Sequence, residues 1–206
     1  MAQYKLTYFD TASSRGEECR LALHVAGVPF EDERLNRDQW AARKASTPFG
    51  ALPVLAIDGR QLAQSNAILR FIGSEHGLHP AEPFEAAVHE SLMCAVEDLR
   101  MRMGPIIRIK DEVEKKRARQ EAAAGYLQEW GAAVERQIGA GPYLAGAKLS
   151  VADLKLFVAV GAYLKGTIDY IPPDVFGAFP KVLRLVEAVR QHPRVLDWYA
   201  RQPEPG

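Results

Sequence analysis

The chain has 206 residues, 48% apolar and 25% charged, with a formal net charge of zero. Such a balance supports a buried core without disulfides or metals, and zero net charge offers no global field to gather nucleic acid or an anionic membrane. Only Cys19 and Cys94 are present, too few for a disulfide scaffold or a Cys-rich metal centre. Two reduced thiols fit a cytoplasmic protein. The opening Met1-Ala2-Gln3-Tyr4-Lys5 lacks the pattern of a signal peptide. No apolar run approaches the roughly 20 residues of a spanning helix.

Residues 4–9 (YKLTYF) alternate like a strand. Residues 11–14 form a short polar loop, and 15–25 read as a helix stopped by Gly27 and Pro29. Residues 30–35 suit a second strand, and 38–45 a short polar helix entered through Asp38. A strand over 52–57 opens with proline. Asp58-Gly59 is a favoured two-residue type I′ hairpin turn, and residues 60–63 return as its partner. Ser65 caps a helix to His76, with Ile68, Leu69, Phe71 and Ile72 on its apolar face. The order β-α-β-α-β-β-α implies a mixed sheet covered by helices.

Residues 77–83 (GLHPAEP) hold two prolines and a glycine, which predicts a linker over 78–83 between domains at 1–77 and 84–206. Everything beyond reads as helix. Val88, Leu92, Ala95, Leu99 and Met103 mark one stripe, and Tyr126, Trp130, Val134 and Ile138 another. Residues 151–164 are apolar almost all round and belong at a domain centre. Shorter helices follow at 180–191 and 194–201. The terminal Pro203-Glu204-Pro205-Gly206 has the composition of a frayed end.

Three short motifs carry chemistry. Leu52-Pro53 precedes a strand and a hairpin. Its proline either starts the strand in trans or, at a cost of about 0.5–1 kcal/mol, is cis. A cis proline turns the preceding backbone toward a ligand, giving an edge that an extended peptide can pair with. Gln64-Ser65 begins a helix, where a cap suffices as explanation but a carboxylate could also bind. Ser150-Val151-Ala152-Asp153 is a capping box on a buried helix, a folding element without a catalytic role.

Together with Pro48-Phe49-Gly50-Ala51-Leu52-Pro53 and Gln64-Ser65-Asn66-Ala67-Ile68, these motifs make nearly the whole chain resemble cytosolic glutathione transferases. The resemblance is strongest in residues 4–76. The opening Tyr4 to Phe9 and Asp38-Gln39-Trp40 are most similar to the sigma class, which contains glutathione-dependent prostaglandin D synthase.

The resemblance implies a thioredoxin-like N-terminal domain and an all-α C-terminal bundle. It also implies a metal-free homodimer that conjugates glutathione, as substrate, to a small hydrophobic electrophile. Leu52, presented by Pro53, would pair with the cysteinyl backbone. Gln64 and Ser65 would hold the γ-glutamyl carboxylate. Trp40 and Lys44, four apart on one helix face, would reach the glycyl end. Asp98 would reach across the dimer to the γ-glutamyl ammonium. Phe49 would either insert between subunits or be buried within its own. Phe9, Thr11, Met101, Met103, Lys155 and Ala159 would line the electrophile pocket, a set that differs from the prostaglandin synthase pocket.

The chemistry needs a thiolate, whereas a free thiol titrates near about 8.5. Tyr8, ending the first strand, is the expected hydroxyl donor to the sulfur, and Arg15 would add positive potential. One hydrogen bond to a charged group is worth about 1.5–3 kcal/mol, roughly one to two pKa units. The loop Thr11-Ala12-Ser13-Ser14 is one residue longer than the sigma pattern, which makes Ser13 and Ser14 rival donors. Two other functions fit the same fold: a non-catalytic binding or structural protein, and a glutathione-dependent isomerase or peroxidase.

Overall fold

The computed structural model describes residues 2–202; the expected fraying of 203–206 lies outside them. Strand β1 (Tyr4–Phe9) is central. It runs parallel to β2 (Phe30–Leu35) and antiparallel to β3 (Val54–Ile57), which pairs with β4 (Arg60–Ala63), giving the order β2-β1-β3-β4. Helix α1 (Ser14–Ala26) connects the parallel pair and ends on Gly27, whose left-handed φ of 74° suits a residue without a Cβ. Helix α2 (Arg37–Arg43), continued by a 3₁₀ turn at Lys44–Ser46, leads into β3, and α3 (Ser65–His76) follows β4. Leu6 and Leu55 of the sheet are sealed against Leu21, Leu23, Ile68 and Leu69 of α1 and α3 in one apolar core.

Three boundaries differ from expectation for local reasons. Strand β3 starts at Val54, because Pro53 has no N–H to give the ladder. Helix α2 is entered from Asn36 rather than Asp38. The Asn36 side chain accepts the Gln39 amide and the Gln39 side chain accepts the Asn36 amide, both at 2.9 Å. Gln64, not Ser65, occupies the position before α3, and Ser65 is its first helical residue. The hairpin is as expected, with Asp58 and Gly59 both at positive φ (48° and 82°).

The remaining helices are α4 (Pro83–Ile107), α5 (Glu112–Ala124), α6 (Tyr126–Gln137), α7 (Val151–Leu164), α8 (Pro180–Arg190) and α9 (Pro193–Ala200). Contacts divide the chain into two units, one running to Ala86 and resuming at Gln191, the other covering Ala87–Arg190. The first of these boundaries lies close to the expected linker at 78–83, and by contacts α9 groups with the first unit. Helix α9 packs on α1, with Val195 buried and Trp198 stacked on Phe30 at 6.2 Å. In the second unit α7 is buried on nearly every side and is closed at its start by the predicted Ser150–Asp153 box. Among the described residues no helix is long and apolar enough to cross a membrane.

Candidate active site

Sheet register brings three predicted residues into line. Thr7 lies opposite Val54, and Val54 opposite Ala63. One step further along each strand come Tyr8, Pro53 and Gln64, at the same end of the sheet. With strands about 4.8 Å apart, that row spans about 10 Å. The Leu52–Pro53 bond is cis, the second of the two readings the sequence left open. Pro53 is buried and Leu52 half-buried.

Tyr8 is only 7% exposed. Its ring meets Phe9 edge-on at 5.5 Å and lies against Gly16, where an added Cβ would stand 2.0 Å from Cδ1. The Arg20 guanidinium sits 5.8 Å from the ring centre. Among the described residues the hydroxyl has no hydrogen-bond partner, yet it is not sealed from solvent. A phenol held rigidly by its ring, with its proton unspoken for, is a donor awaiting an acceptor.

The rival serines are placed differently. Ser13 is exposed, and its Oγ shares a hydrogen bond of 2.8 Å with Thr11 Oγ1. Ser14 opens α1 at φ 59°, a left-handed backbone that strains a residue with a Cβ. Arg15 follows it, half-buried.

Trp40 on α2 packs edge-on against Phe9 at 6.0 Å. Lys44 stands just past the end of α2, exposed, with its Cε 3.6 Å from where a Cβ on Gly50 would be. Helix α2 is tied to the sheet through Glu33, which accepts from Arg43 at 2.6 Å, Thr7 at 2.8 Å and Lys5 at 2.8 Å. Burial pushes the Glu33 carboxyl up, but those three donors together hold it below its ordinary value. Gln64 adopts φ 72° and ψ 115°, and its side chain does not cap α3, so the positive end of that helix faces the row at Ser65.

The residues expected from the second unit do not converge on one surface. Met101 is 72% exposed, whereas Met103 is 2% exposed on the other side of α4. Ala159 is buried. Lys155 is buried too, and its Nζ donates to Glu97 Oε1 at 2.6 Å, which also accepts from Arg100 at 2.7 Å. Met103, Lys155 and Ala159 thus serve the packing of the helical unit. An ammonium inside an apolar helix must find a carboxylate, and Glu97 is it. Asp98 is exposed on α4 near Tyr126, whose phenol is raised first by burial and then by that carboxylate. Phe49 is 69% exposed, so burial within its own chain is not its role.

Sequence reasoning passed over Gly16, Glu17 and Arg20. The available signal was a glycine near a helix start, followed by two carboxylates and an arginine inside an apolar stretch.

Residues 4–74 match the family model for the glutathione S-transferase N-terminal domain, and residues 97–202 that for the C-terminal domain. The chain belongs to the glutathione S-transferase family. It is 34% identical to glutathione S-transferase 1 of Ascaris suum over 99% of this chain and 98% of that one. It is 28% identical to hematopoietic prostaglandin D synthase of Gallus gallus over 99% and 98%. The crystal structure of monomeric Na-GST-3, a glutathione S-transferase of Necator americanus, superposes with a TM-score of 0.83 at 31% identity, covering 98% of each chain. The relatives are thus named for more than one activity.

Proposed function

We propose that this chain ionises the thiol of glutathione and joins the sulfur to a small hydrophobic electrophile. The observation that carries the proposal is the unpartnered Tyr8 hydroxyl, in register with Pro53 and Gln64. The row's length of about 10 Å suits an extended tripeptide at about 3.3–3.6 Å per residue. The γ-glutamyl carboxylate goes to the start of α3 at Gln64 and Ser65. The cysteinyl backbone pairs at Leu52 and Pro53, and the glycyl end meets Trp40 and Lys44.

The thiol gives its proton to solvent, and the thiolate accepts the Tyr8 O–H, which stays protonated. Arg15 adds favourable potential. The sulfur attacks the electrophilic carbon. A new C–S bond forms as a leaving group departs with its electron pair or, in an addition, as the substrate takes a proton from water. Phe9 and Thr11 flank the sulfur on the electrophile side. We further read the protein as a cytoplasmic homodimer in which Asp98 reaches the glutathione ammonium of the other subunit. The exposed Phe49 supports an interface there.

The similarity to a prostaglandin D synthase favours a second reading, isomerisation, in which the same thiolate adds and is later expelled. Product analysis separates the two, because conjugation consumes glutathione and isomerisation returns it.

The test is the ultraviolet absorbance of bound thiolate against pH. Tyr8→Phe should raise the bound thiol's pKa by about one to two units. Turnover at neutral pH should fall about 10- to 100-fold and largely recover in alkali, with affinity for glutathione little changed. Ser13→Ala and Ser14→Ala should titrate like wild type. If Tyr8→Phe is unshifted and a serine variant is shifted, the donor is the serine.

A further inference from the structure

The loop that follows Tyr8 is held from below by a buried arginine. Arg20 is fully buried in α1. Its Nη2 donates to the Phe9 carbonyl at 3.1 Å and its Nη1 to the Thr11 carbonyl at 2.8 Å. Nε donates to Asp32 Oδ1 at 2.8 Å. The same planar group lies 5.8 Å from the Tyr8 ring centre. Two of its bonds therefore end on main-chain oxygens just beyond Tyr8: that of Phe9, the last residue of β1, and that of Thr11, where the chain has left the sheet.

The two carboxylates that hold Arg20 are themselves held by the far end of the chain. Glu17 Oε2 is 3.6 Å from Arg20 Nη1, and Glu17 Oε1 accepts the Trp198 indole N–H at 2.7 Å. Burial and the adjoining Glu17 push the Tyr199 phenol up. Asp32 Oδ2 accepts from Arg34 Nε at 2.7 Å, and Arg34 Nη2 donates to Gln202 Oε1 at 3.1 Å. Both supports thus lead to residues 198–202.

We infer that Arg20 is a positioning residue for the thiolate-stabilising hydroxyl of Tyr8, aligned by the C-terminal segment through Glu17 and Asp32. The inference rests on the proposed role of Tyr8 as donor. A guanidinium presents its donors in a fixed fork, so it can hold two carbonyls and a carboxylate at once, whereas an ammonium is a point donor on a flexible stem. Misplacing a catalytic group by about 1 Å can cost about a hundredfold in rate.

The experiment compares Arg20→Lys, Trp198→Phe and Tyr8→Phe with wild type. Bound-thiol titration, kcat and KM for glutathione are read on protein shown folded by circular dichroism. Arg20→Lys keeps the charge and loses the fork. It should raise the bound thiol's pKa by about one unit and lower kcat at neutral pH about tenfold, with KM within about twofold. Trp198→Phe keeps an aromatic ring beside Phe30 and drops the bond to Glu17, and should shift the thiol the same way by about half a unit. A folded Arg20→Lys with wild-type titration overturns the inference, as does one that loses glutathione affinity with the thiol pKa unmoved. If Arg20→Lys fails to fold, Trp198→Phe decides: a shifted thiol supports the inference and an unshifted one overturns it. Should Tyr8→Phe itself titrate like wild type, the donor assignment falls and this inference with it. A shift in Tyr8→Phe alone refutes only the role of Arg20.

Discussion

Arg20 in α1 and Asp153 in α7 are both sealed from solvent, yet their hydrogen bonds lead to different places. Arg20 reaches out of its helix to the carbonyls of Phe9 and Thr11. Asp153 turns back on its own helix start, accepting from Ser150 N at 2.8 Å, Ser150 Oγ at 2.6 Å and Leu144 N at 2.8 Å. Lys155, two residues along, ends on Glu97 inside the same unit. Buried charge is costly wherever it stands, so its presence alone does not mark a catalytic site. The useful distinction is whether its partners close a fold element or hold a loop beside a group with spare bonding capacity.

Removing Asp153 should give the larger stability effect. Asp153→Ala leaves the amides of Ser150 and Leu144 without their acceptor, at about 1–3 kcal/mol each, and loses the helix cap. A loss of about 3 kcal/mol is expected in urea denaturation, with the bound-thiol titration of the folded fraction unchanged. A loss below about 1 kcal/mol would mean that apolar packing alone holds α7 in place.

A matched pair of glycines sharpens the contrast. A Cβ on Gly16 would stand 2.0 Å from the Tyr8 ring, and one on Gly131 in α6 would stand 2.2 Å from the Phe179 ring. Overpacking should cost each alanine variant about 1–3 kcal/mol. Only Gly16→Ala should also move Tyr8, lowering turnover at neutral pH about tenfold or more through a raised thiol pKa. Equal turnover per folded molecule in the two variants would show that Tyr8 tolerates displacement.

Much of this was legible in the sequence, and the failures share a cause. The bounds of β1, β2, β4 and α7 follow from alternation, from the Asp58-Gly59 turn and from the Ser150–Asp153 box, all of them local signals. A short helix at 194–201 is legible from the sequence, but nothing local says that its Val195 and Trp198 are buried against α1. The resemblance puts Lys155 near a pocket, and its bond to Glu97 has no local signature because the carboxylate lies 58 positions earlier. Arg20 was passed over because two of its partners are main-chain oxygens, which carry no side-chain signature. Asn36 and Asp38 are both good caps, and only Gln39, three residues after Asn36, distinguishes them.

The smallest expected effect sets Glu33 against Asp153 through pH. Burial raises the Glu33 carboxyl, but bonds from Lys5, Thr7 and Arg43 bring it below its ordinary value of 4.5. Its contribution to stability is therefore present above that value and is lost as pH falls through the folded pKa. Asp153 has the opposite sign: burial raises it above 3.8, outweighing the bonds from Ser150 and Leu144. Its carboxyl favours the fold most when protonated, and that advantage is lost as pH rises through the folded pKa. Urea denaturation of wild type, Glu33→Gln and Asp153→Asn across the acid range reads both. The stability gap for Glu33→Gln should be less than about 1 kcal/mol at neutral pH, because the cluster lies near solvent, and should close in acid. Relative to wild type, Asp153→Asn should be at its least stable in acid and gain as pH rises. A Glu33→Gln gap that stays flat or widens in acid would show that the ion cluster does not hold α2, with Trp40 and Lys44, against the sheet.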